Sequence, residues 1–352
     1  MSLRDILTAR IAQDGPMSLV DYMADCLLHP THGYYTTATP FGTSGDFITA
    51  PEISQMFGEV TGLCLAQAWL DQGAPHRFTL AELGPGRGTL MADILRSTRA
   101  VPGFHDAADI TLIEAAPQLI QQQKNHLSDY TLRHCRTAED LPDQPLFLIA
   151  NEFFDALPIR QFTRGARHWH ETQIGLSDGT LVRGRGPELP QPALAMRLAD
   201  TAPGDVVEET PAIAPIMHAI GWRIARHGGA GLIIDYGDWH SKGDTFQAVQ
   251  NHAPVDPLAD PGTADLTAHV DFAALATAAP CRTSAMTPQG VFLERLGITQ
   301  RAQALAAKLC GSALETHIAA HRRLTHPDEM GNLFKVIALF PDGATPPPGL
   351  DI

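Results

Sequence analysis

Apolar residues recur at helical spacing near the start of the chain, and strand-like and helix-like stretches alternate further on. Leu3, Leu7 and Ile11 predict a first helix, and Ser18 is placed to begin a second one. This periodicity is lost over residues 31–51, which are rich in Gly, Thr and Pro. The stretch is therefore predicted to be a long loop with an ordered or functional role.

Five short apolar runs predict the strands of a core sheet, and the stretches between them predict helices. The strands are expected at residues 78–81, 110–113, 146–150, 231–235 and 334–339. The helices are expected at residues 53–70, 90–95, 117–127, 211–227, 289–297, 299–309 and 312–324. Buried runs that alternate with helices indicate a mostly parallel α/β sheet. Residues 159–185 instead predict an inserted antiparallel hairpin.

Composition and charge narrow the range of functions. Hydrophobic residues make up 44% of the 352-residue chain and charged residues 18%, which is typical of a folded protein and excludes general disorder. The net charge of −14 argues against nucleic-acid binding, because phosphate recognition depends on clustered Lys and Arg. An acidic protein of this kind favours a basic partner.

The cysteines and the N-terminal residues indicate the cellular compartment of the protein. The five cysteines are scattered and form no Cys-x-x-Cys pair, so neither a disulfide framework nor a zinc site is predicted. The first residues lack the apolar segment of a signal peptide, and Asp5 and Asp14 are unlike a transit peptide. No apolar run approaches the ~20 residues that span a bilayer. These patterns predict no membrane insertion and a cytoplasmic location, and they leave the oligomeric state open.

A glycine-rich stretch, residues 82–89, follows the first predicted strand and predicts a cofactor loop. Dinucleotide-binding loops carry G-x-G-x-x-G, but here Thr89 stands where the third glycine should be. The pattern G-x-G-x-G after an acid suits S-adenosylmethionine, because glycines let the backbone approach and the acid can accept from the cofactor's ammonium. A purely structural strand-to-helix turn is the alternative. The predicted cofactor-binding residues of this loop are Glu82, Gly84, Pro85, Gly86 and Gly88.

Glu114 closes the second predicted strand of the sheet. An acid in this position of a βα unit binds ribose hydroxyls, because a carboxylate can accept from two neighbouring O–H groups. The alternative is an acid that stabilises the start of the helix opened by Pro117. The glycine loop one βα unit earlier favours the ribose role.

The segment Asn151-Glu152-Phe153-Phe154-Asp155 directly follows the apolar run at 146–150. Ligands bind at the carboxyl ends of parallel strands, so this segment is expected to face the cofactor. Its carboxylates can orient a guanidinium through paired hydrogen bonds, and its aromatic rings can supply a wall. The alternative is an acidic helix start. Asn151, Glu152 and Asp155 are the predicted catalytic residues.

Two histidine pairs have spacings that metal ligands can adopt. His168 and His170 share a face of a predicted strand, but no third ligand accompanies them. His317 and His321 have helical spacing, but Ile318 stands where a zinc protease would carry its acid. No metal is predicted.

Several longer motifs resemble one known family, the MidA family of methyltransferases. The similar motifs are Gly33-Tyr34-Tyr35, Phe41-Gly42-x-x-Gly45-Asp46-Phe47 through Glu59, the loop 82–90, Asn151 to Pro158, Asp235-Tyr236-Gly237, Pro261 to Phe272 and Met330-Gly331-x-x-Phe334-Lys335. They run across nearly the whole chain, and those at 41–59 and 261–272 are long enough to be specific.

The resemblance implies a class I methyltransferase fold, which is Rossmann-like, with an N-terminal helical extension and inserted hairpin and helical elements. It also implies S-adenosylmethionine as cofactor and symmetric dimethylation of an arginine on a core subunit of respiratory complex I. The loop from Gly45 to Pro51 would cover the cofactor, with Thr49 and Pro51 among its contacts. Vertebrate-like members carry His-Glu where this chain has Asn151-Glu152.

The expected organisation is an extension with the covering loop at 1–75 and a methyltransferase core at 76–352. The core would carry an insertion around 159–210 and helical additions around 285–325. Three rival functions stay open: a methyltransferase for a small molecule or another protein, an assembly chaperone that binds its partner without catalysis, and a dinucleotide oxidoreductase. The oxidoreductase is disfavoured because Thr89 stands where a dinucleotide-binding loop carries glycine.

Overall fold

The computed structural model describes residues 1–37 and 49–352. The described residues fall into two compact units, and each unit is assembled from separate chain segments. The first unit contains residues 1–37, 155–212 and 240–271, and the second contains 49–154, 213–239 and 272–352. The domain division at residues 75 and 76 stays a prediction.

The second unit is built on a sheet whose strands we number β1 to β7. They are β1 Phe78–Leu83, β2 Ala108–Ile113, β3 Leu132–Cys135, β4 Leu146–Asn151, β5 Gly229–Asp238, β6 Arg282–Thr283 and β7 Phe334–Phe340. Their order is β3-β2-β1-β4-β5-β7-β6. The first five are parallel, and β7 runs antiparallel to both of its neighbours. This sheet confirms the predicted class I methyltransferase fold.

Helices connect these strands and cover the sheet. The helices of the second unit are Ala50–Ile53, Gln55–Asp71, Thr89–Thr98, Phe104–Ala107, Pro117–His126, Ile213–His227, Phe272–Ala278, Gln289–Arg295, Ile298–Ala306 and Gly311–Thr325, with short turns at Ala138–Asp140 and Pro327–Gly331. A two-residue strand, Thr287–Pro288, also pairs with β7.

The single helix predicted over residues 53–70 is wrong in one respect, because it is interrupted at Ser54. The backbone of Ser54 is extended, with φ −161° and ψ 134°, and its hydroxyl accepts from the Met56 N–H at 3.2 Å. A serine that bonds the backbone at a helix start competes with helix continuation. The break makes Ala50–Ile53 a separate turn that precedes the long helix.

The core of the second unit explains why the apolar runs could be read as strands. All six residues of β1 and all six of β4 are buried. Phe78 on β1 packs against Phe104 and Phe147, with ring centroids 5.0 and 5.2 Å apart. Burying a Phe side chain contributes about 1.5–3 kcal/mol, so this aromatic group stabilises the centre of the sheet.

The first unit contains short helices and antiparallel strands. Its helices are Leu3–Asp14, Leu19–Leu28 and Tyr34–Thr37, with short turns at Pro192–Leu194 and Met196–Leu198. Its strands are Met17–Ser18, Arg160–Arg164, Trp169–Ser177, Thr180–Leu189, Val206–Glu209, Gln247–Gln250, Ala253–Val255, Asp265–Thr267 and Val270–Asp271. The predicted hairpin is confirmed, and its turn has positive φ at Asp178 and Gly179, as a tight hairpin turn requires.

Candidate active site

Three polar side chains meet at the carboxyl ends of the neighbouring strands β2, β1 and β4. In the parallel register, Glu82 on β1 lies between Leu112 on β2 and Ile149 on β4. Glu114 and Asn151 each come two residues after those partners. Since side chains alternate along a strand, Glu82, Glu114 and Asn151 point to the same face of the sheet.

The glycine loop turns from β1 into the helix Thr89–Thr98 through left-handed backbone conformations. The φ angles are +61° at Gly84, +50° at Gly86 and +85° at Gly88, a region that residues with a Cβ rarely adopt. A Cβ on Gly84 would lie 2.8 Å from the Phe153 ring. The loop therefore depends on glycine both for its turn and for space.

Glu82 is a buried acid at the base of this loop, with only 3% of the residue exposed. The pKa of its carboxyl is raised to about 8, mainly because the group is buried. A hydrogen bond from the Met91 backbone lowers this pKa, and the negative charge of Glu114 raises it further. Within residues 1–37 and 49–352, the Oε2 atom has no hydrogen-bond partner. A buried acceptor without a partner costs free energy, so the site suits a ligand that brings a donor.

The Glu114 carboxylate is held by two donors. Its Oε1 accepts from the Ala116 N–H at 2.8 Å, and its Oε2 accepts from the Gln123 amide at 3.3 Å. Burial raises the pKa of this carboxyl. The Ala116 contact fits an acid at the start of the helix Pro117–His126, as the alternative supposed. Each carboxylate oxygen can accept more than one hydrogen bond, so the contact is compatible with ribose binding.

Gln123 belongs to the site and was missed by the sequence analysis. It is fully buried, and its Nε2 donates to the Gly86 carbonyl at 2.7 Å as well as to Glu114. Because those two partners only accept, the Gln123 oxygen must accept from His134 Nε2, which lies 3.0 Å away. Burial and the charge of Lys124 lower the pKa of His134.

A signal for Gln123 was present in the sequence. It stands four residues after Leu119 in the predicted helix, so the helical repeat places both on one face. Leu119 is buried. A polar residue on the apolar face of a helix indicates a buried hydrogen-bonding role.

Glu152 stands where the chain leaves β4, in a left-handed conformation with φ +52°. Its Oε1 accepts from the Ala50 N–H at 2.9 Å and from the Asn151 Nδ2 at 3.0 Å. The turn that follows is held by buried Asp235, whose Oδ2 accepts from the N–H groups of Phe153 and Phe154 at 3.2 and 3.0 Å. A residue held at positive φ beside a cofactor loop is the kind of local strain that occurs at functional sites.

The alternative interpretation of Glu152 and Asp155 as an acidic helix start is wrong. No helix begins between the end of β4 and Arg160, and the residues between them form turns. Asp155 belongs to the first unit, where it is buried and its carbonyl accepts from the Ala268 N–H at 3.0 Å. Its catalytic role stays a prediction.

The turn Ala50–Ile53 connects to the site at two points besides its contact with Glu152. Thr49 is its N-cap residue, and Pro51 is buried. The Glu52 carboxylate accepts from Arg87 at 2.6 Å and from the Thr89 hydroxyl at 2.8 Å. Thr49 and Pro51 thus lie in a segment bonded to both the glycine loop and Glu152. The part of the predicted covering loop at residues 38–48, including Gly45, lies outside the described residues.

The histidines with metal-ligand spacing have other partners. His170 Nδ1 lies 2.9 Å from the Gly186 carbonyl, and His317 Nε2 lies 2.9 Å from the Ala302 carbonyl. Within the described ranges, 1–37 and 49–352, there is no group of three or more His, Cys, Asp or Glu side chains that could hold a metal ion. No helix in these same ranges is long and apolar enough to cross a membrane.

The sheet order, the glycine loop and the two acids together define an S-adenosylmethionine-dependent methyltransferase. Among the described residues, 1–37 and 49–352, the buried oxygens Glu82 Oε2 and Asn151 Oδ1 have no hydrogen-bond partner, which fits a cofactor that carries an ammonium. Residues 60–291 match a family described as "Putative S-adenosyl-L-methionine-dependent methyltransferase". The chain belongs to this family, the MidA family of methyltransferases, and its cofactor is S-adenosylmethionine.

Curated relatives resemble the chain over nearly its full length. The Drosophila melanogaster "Protein arginine methyltransferase NDUFAF7 homolog, mitochondrial" is 34% identical to the chain. The alignment is 381 residues long and covers 97% of this chain and 85% of the relative. The Homo sapiens "Protein arginine methyltransferase NDUFAF7, mitochondrial" is 34% identical over 364 residues, with 95% and 82% covered.

A solved structure gives the same picture. A Burkholderia thailandensis protein bound to S-adenosyl-homocysteine is 29% identical to the chain and superposes with a TM-score of 0.83. The superposition covers 99% of this chain and 92% of the other.

The predicted cytoplasmic location is contradicted by these relatives. Those from Drosophila melanogaster, Xenopus laevis and Homo sapiens are all named as mitochondrial proteins. The prediction rested on scattered cysteines and on the composition of the first residues. Both features serve the fold, since Cys26 and Cys64 are buried core residues and Leu3, Leu7 and Ile11 are the buried residues of the first helix, so neither defines where the enzyme works.

Proposed function

We propose that the chain is a protein-arginine N-methyltransferase and that its target is a subunit of respiratory complex I. One observation carries the proposal. The carboxyl ends of β1, β2 and β4 bring together the glycine loop, Glu82, Glu114 and the carboxylate of Glu152. The curated relatives are named protein arginine methyltransferases, which supports a protein substrate and an arginine acceptor. The family resemblance supports the complex I subunit.

The cofactor site is proposed on the residues that face it. When bound, S-adenosylmethionine supplies a methyl group on a positively charged sulfur. Glu82 would accept from the ammonium, and Glu114 would accept from the ribose hydroxyls. The backbone at Gly84 and Gly86 would leave room for the cofactor chain. The other proposed contacts are Pro85, Gly88, Thr49 and Pro51.

Glu152 is the proposed catalytic residue. A guanidinium stays protonated below pH ~12, so its nitrogens are poor nucleophiles. A carboxylate that binds one edge of the guanidinium draws the positive charge toward the bonded nitrogens and aligns the remaining one for transfer. Because Ala50 and Asn151 both donate to Glu152 Oε1, the carboxylate is oriented before the substrate arrives.

The experiment that tests the proposal is methyl transfer to defined complex I subunits. The full chain is incubated with deuterium-labelled S-adenosylmethionine and each purified subunit, and the products are mapped by mass spectrometry. We expect labelled dimethylarginine at one site of one subunit. Tight subunit binding without any label would favour the chaperone function. If calorimetry showed binding of NAD but not of S-adenosylmethionine, the proposed cofactor site would be wrong.

We expect cofactor affinity to depend on pH through Glu82. Its pKa of about 8 in the free protein means that the carboxyl is protonated at pH 7, whereas an ammonium beside it favours the charged form. Binding should therefore release a proton below pH 8, and affinity should rise with pH toward 8 by up to about tenfold per unit. Above ~8 the cofactor's own amine loses its charge, so the affinity should pass through a maximum.

Calorimetry with S-adenosylhomocysteine from pH 6 to pH 9 measures this dependence, and buffers of different ionisation enthalpy count the released proton. Glu82→Gln should flatten the acidic side of the profile. Glu139→Gln, which changes an exposed glutamate of the same unit, serves as the control. If the acidic side persists in Glu82→Gln, another group carries it, and Glu82 does not bind the ammonium.

A further inference from the structure

The Asp235-Tyr236-Gly237 motif lies at the carboxyl end of β5, the strand next to β4 in the sheet. In the parallel register, Ile234 of β5 pairs with Asn151 of β4. Tyr236 comes two residues after Ile234, so its side chain points to the same face of the sheet as Asn151. Strand spacing and rise put the Cα atoms of Asn151 and Tyr236 about 8 Å apart. Tyr236 thus lies on the cofactor face, on the side of β4 that is away from β1.

Neighbouring groups fix the orientation of the Tyr236 ring. Phe334 of β7 is its partner in the antiparallel register, and the two rings meet edge to face, with centroids 5.4 Å apart and planes at 68°. Phe334 is buried, whereas Tyr236 is only partly buried. The ring is therefore held on one side and keeps an accessible part.

The fully buried carboxylate of Asp235 connects Tyr236 to the turn that carries Glu152. Its Oδ1 accepts from the Tyr236 N–H at 3.0 Å. Its Oδ2 accepts from the N–H groups of Phe153 and Phe154, the residues that follow Glu152. One buried side chain thus sets the spacing between the Glu152 turn and the ring.

The Glu152 carboxylate lies on the same face of the sheet as Tyr236. The Glu152 N–H donates to the Ile234 carbonyl at 3.0 Å, which keeps the start of the turn beside β5. Its Oε1 accepts from the Nδ2 of Asn151, a side chain that points to the cofactor face. A carboxylate and an aromatic ring therefore border one space beyond the ends of β4 and β5.

The two aromatic rings that follow Glu152 in the chain are engaged elsewhere. A Cβ on Gly84 would lie 2.8 Å from the Phe153 ring, so this ring packs against the glycine loop. Phe154 is only 2% exposed. Of the three rings, Tyr236 is therefore the one placed to meet a group that Glu152 binds.

We infer that Tyr236 is an acceptor-binding residue whose ring forms the wall against which the substrate guanidinium lies. The inference rests on the proposed function. A guanidinium is flat, so its face can contact an aromatic ring while the N–H groups of its edge donate to a carboxylate. The two contacts use different parts of the group and can form together with Tyr236 and Glu152. An ammonium has neither a flat face nor a forked edge, so the pair favours arginine over lysine.

Nuclear magnetic resonance of the full chain with ¹³C-labelled tyrosine rings tests guanidinium binding directly, because the sequence contains only five tyrosines. The protein saturated with S-adenosylhomocysteine is titrated with N-acetyl-arginine amide or with its uncharged isostere, N-acetyl-citrulline amide. We expect the arginine compound to shift the Tyr236 signals, which Tyr236→Phe identifies, and the citrulline compound to shift them far less. Tyr130, a partly buried tyrosine of the same unit that already has Arg99 over its ring, should keep its signals in place. Unmoved Tyr236 signals, or equal shifts with both compounds, would overturn the inference.

Methyl transfer to the subunit that takes the label gives a second measurement. Tyr236→Leu keeps an apolar side chain but removes the ring, so KM for the acceptor should rise about threefold to 30-fold. Tyr236→Phe should restore KM to within about twofold of the wild type, because it keeps the ring. The affinity for S-adenosylhomocysteine should change by less than about twofold in both variants, since neither removes a proposed cofactor contact. Tyr130→Leu is the matched control.

An unchanged KM in Tyr236→Leu would overturn the inference. So would an equal loss of cofactor affinity, because Tyr236 would then only support the fold. If the wild type labels no subunit while the arginine compound still shifts the Tyr236 signals, the proposed complex I target is wrong and the guanidinium site stands.

Discussion

A Gly86→Val variant should fold and yet show no measurable binding of S-adenosylhomocysteine. Gly86 is buried in the loop at φ +50°, and its carbonyl accepts from Gln123. A β-branched residue in this conformation costs on the order of 1–3 kcal/mol. That is less than the ~5–15 kcal/mol that stabilises a typical domain, so the fold should survive. The added methyl groups, however, remove the close backbone approach on which we expect cofactor binding to depend.

Gly73→Val is a control for the strain alone. Gly73 also has a positive φ, +83°, in the same unit, and a Cβ added there would meet nothing within 4 Å. Thermal unfolding compares the two variants, and calorimetry with S-adenosylhomocysteine compares their affinities. We expect similar losses of stability but loss of binding only in Gly86→Val. Undiminished affinity in a folded Gly86→Val protein would show that the loop is a structural turn.

The central sheet could be predicted from sequence because its strands are buried on both faces. The runs in β1 and β4 contain hardly any polar residue before their carboxyl ends, so burial and strand length were both visible. β3 was missed because it carries Arg133 and His134 and lies at the edge of the sheet, where only one of its four residues is buried. β6 has only two residues, which is too short for a pattern.

The grouping of Glu82 and Glu114 could be predicted from the sequence, but Gln123 and the contacts of these side chains could not. Glu82 and Glu114 were found because the carboxyl ends of parallel strands gather at one edge. The contact of the Ala50 N–H with Glu152 joins residues 102 positions apart in the chain. No local pattern encodes such a contact. The positive φ of Glu152 was equally invisible, because glutamate carries no preference for it.

The same contact shapes the expected behaviour of Glu152→Gln, which should lower kcat by on the order of 10²-fold. Glutamine keeps the size of the side chain and an oxygen that can accept from Ala50 and Asn151. It loses the negative charge that draws positive charge away from the attacking nitrogen of the guanidinium. The cofactor's ammonium is assigned to Glu82 and not to Glu152, so the cofactor affinity should change by less than about threefold. Glu152→Gln should therefore lower the turnover rate and leave the cofactor affinity nearly unchanged.

Single-turnover methylation of the identified subunit measures the rate, and calorimetry with S-adenosylhomocysteine measures the affinity. Glu139→Gln is again the control and shows what an exposed charge of the same sign contributes. If Glu152→Gln methylates at nearly the normal rate, the carboxylate only holds the turn after β4 to Ala50, and the group that activates the guanidinium is a different acid.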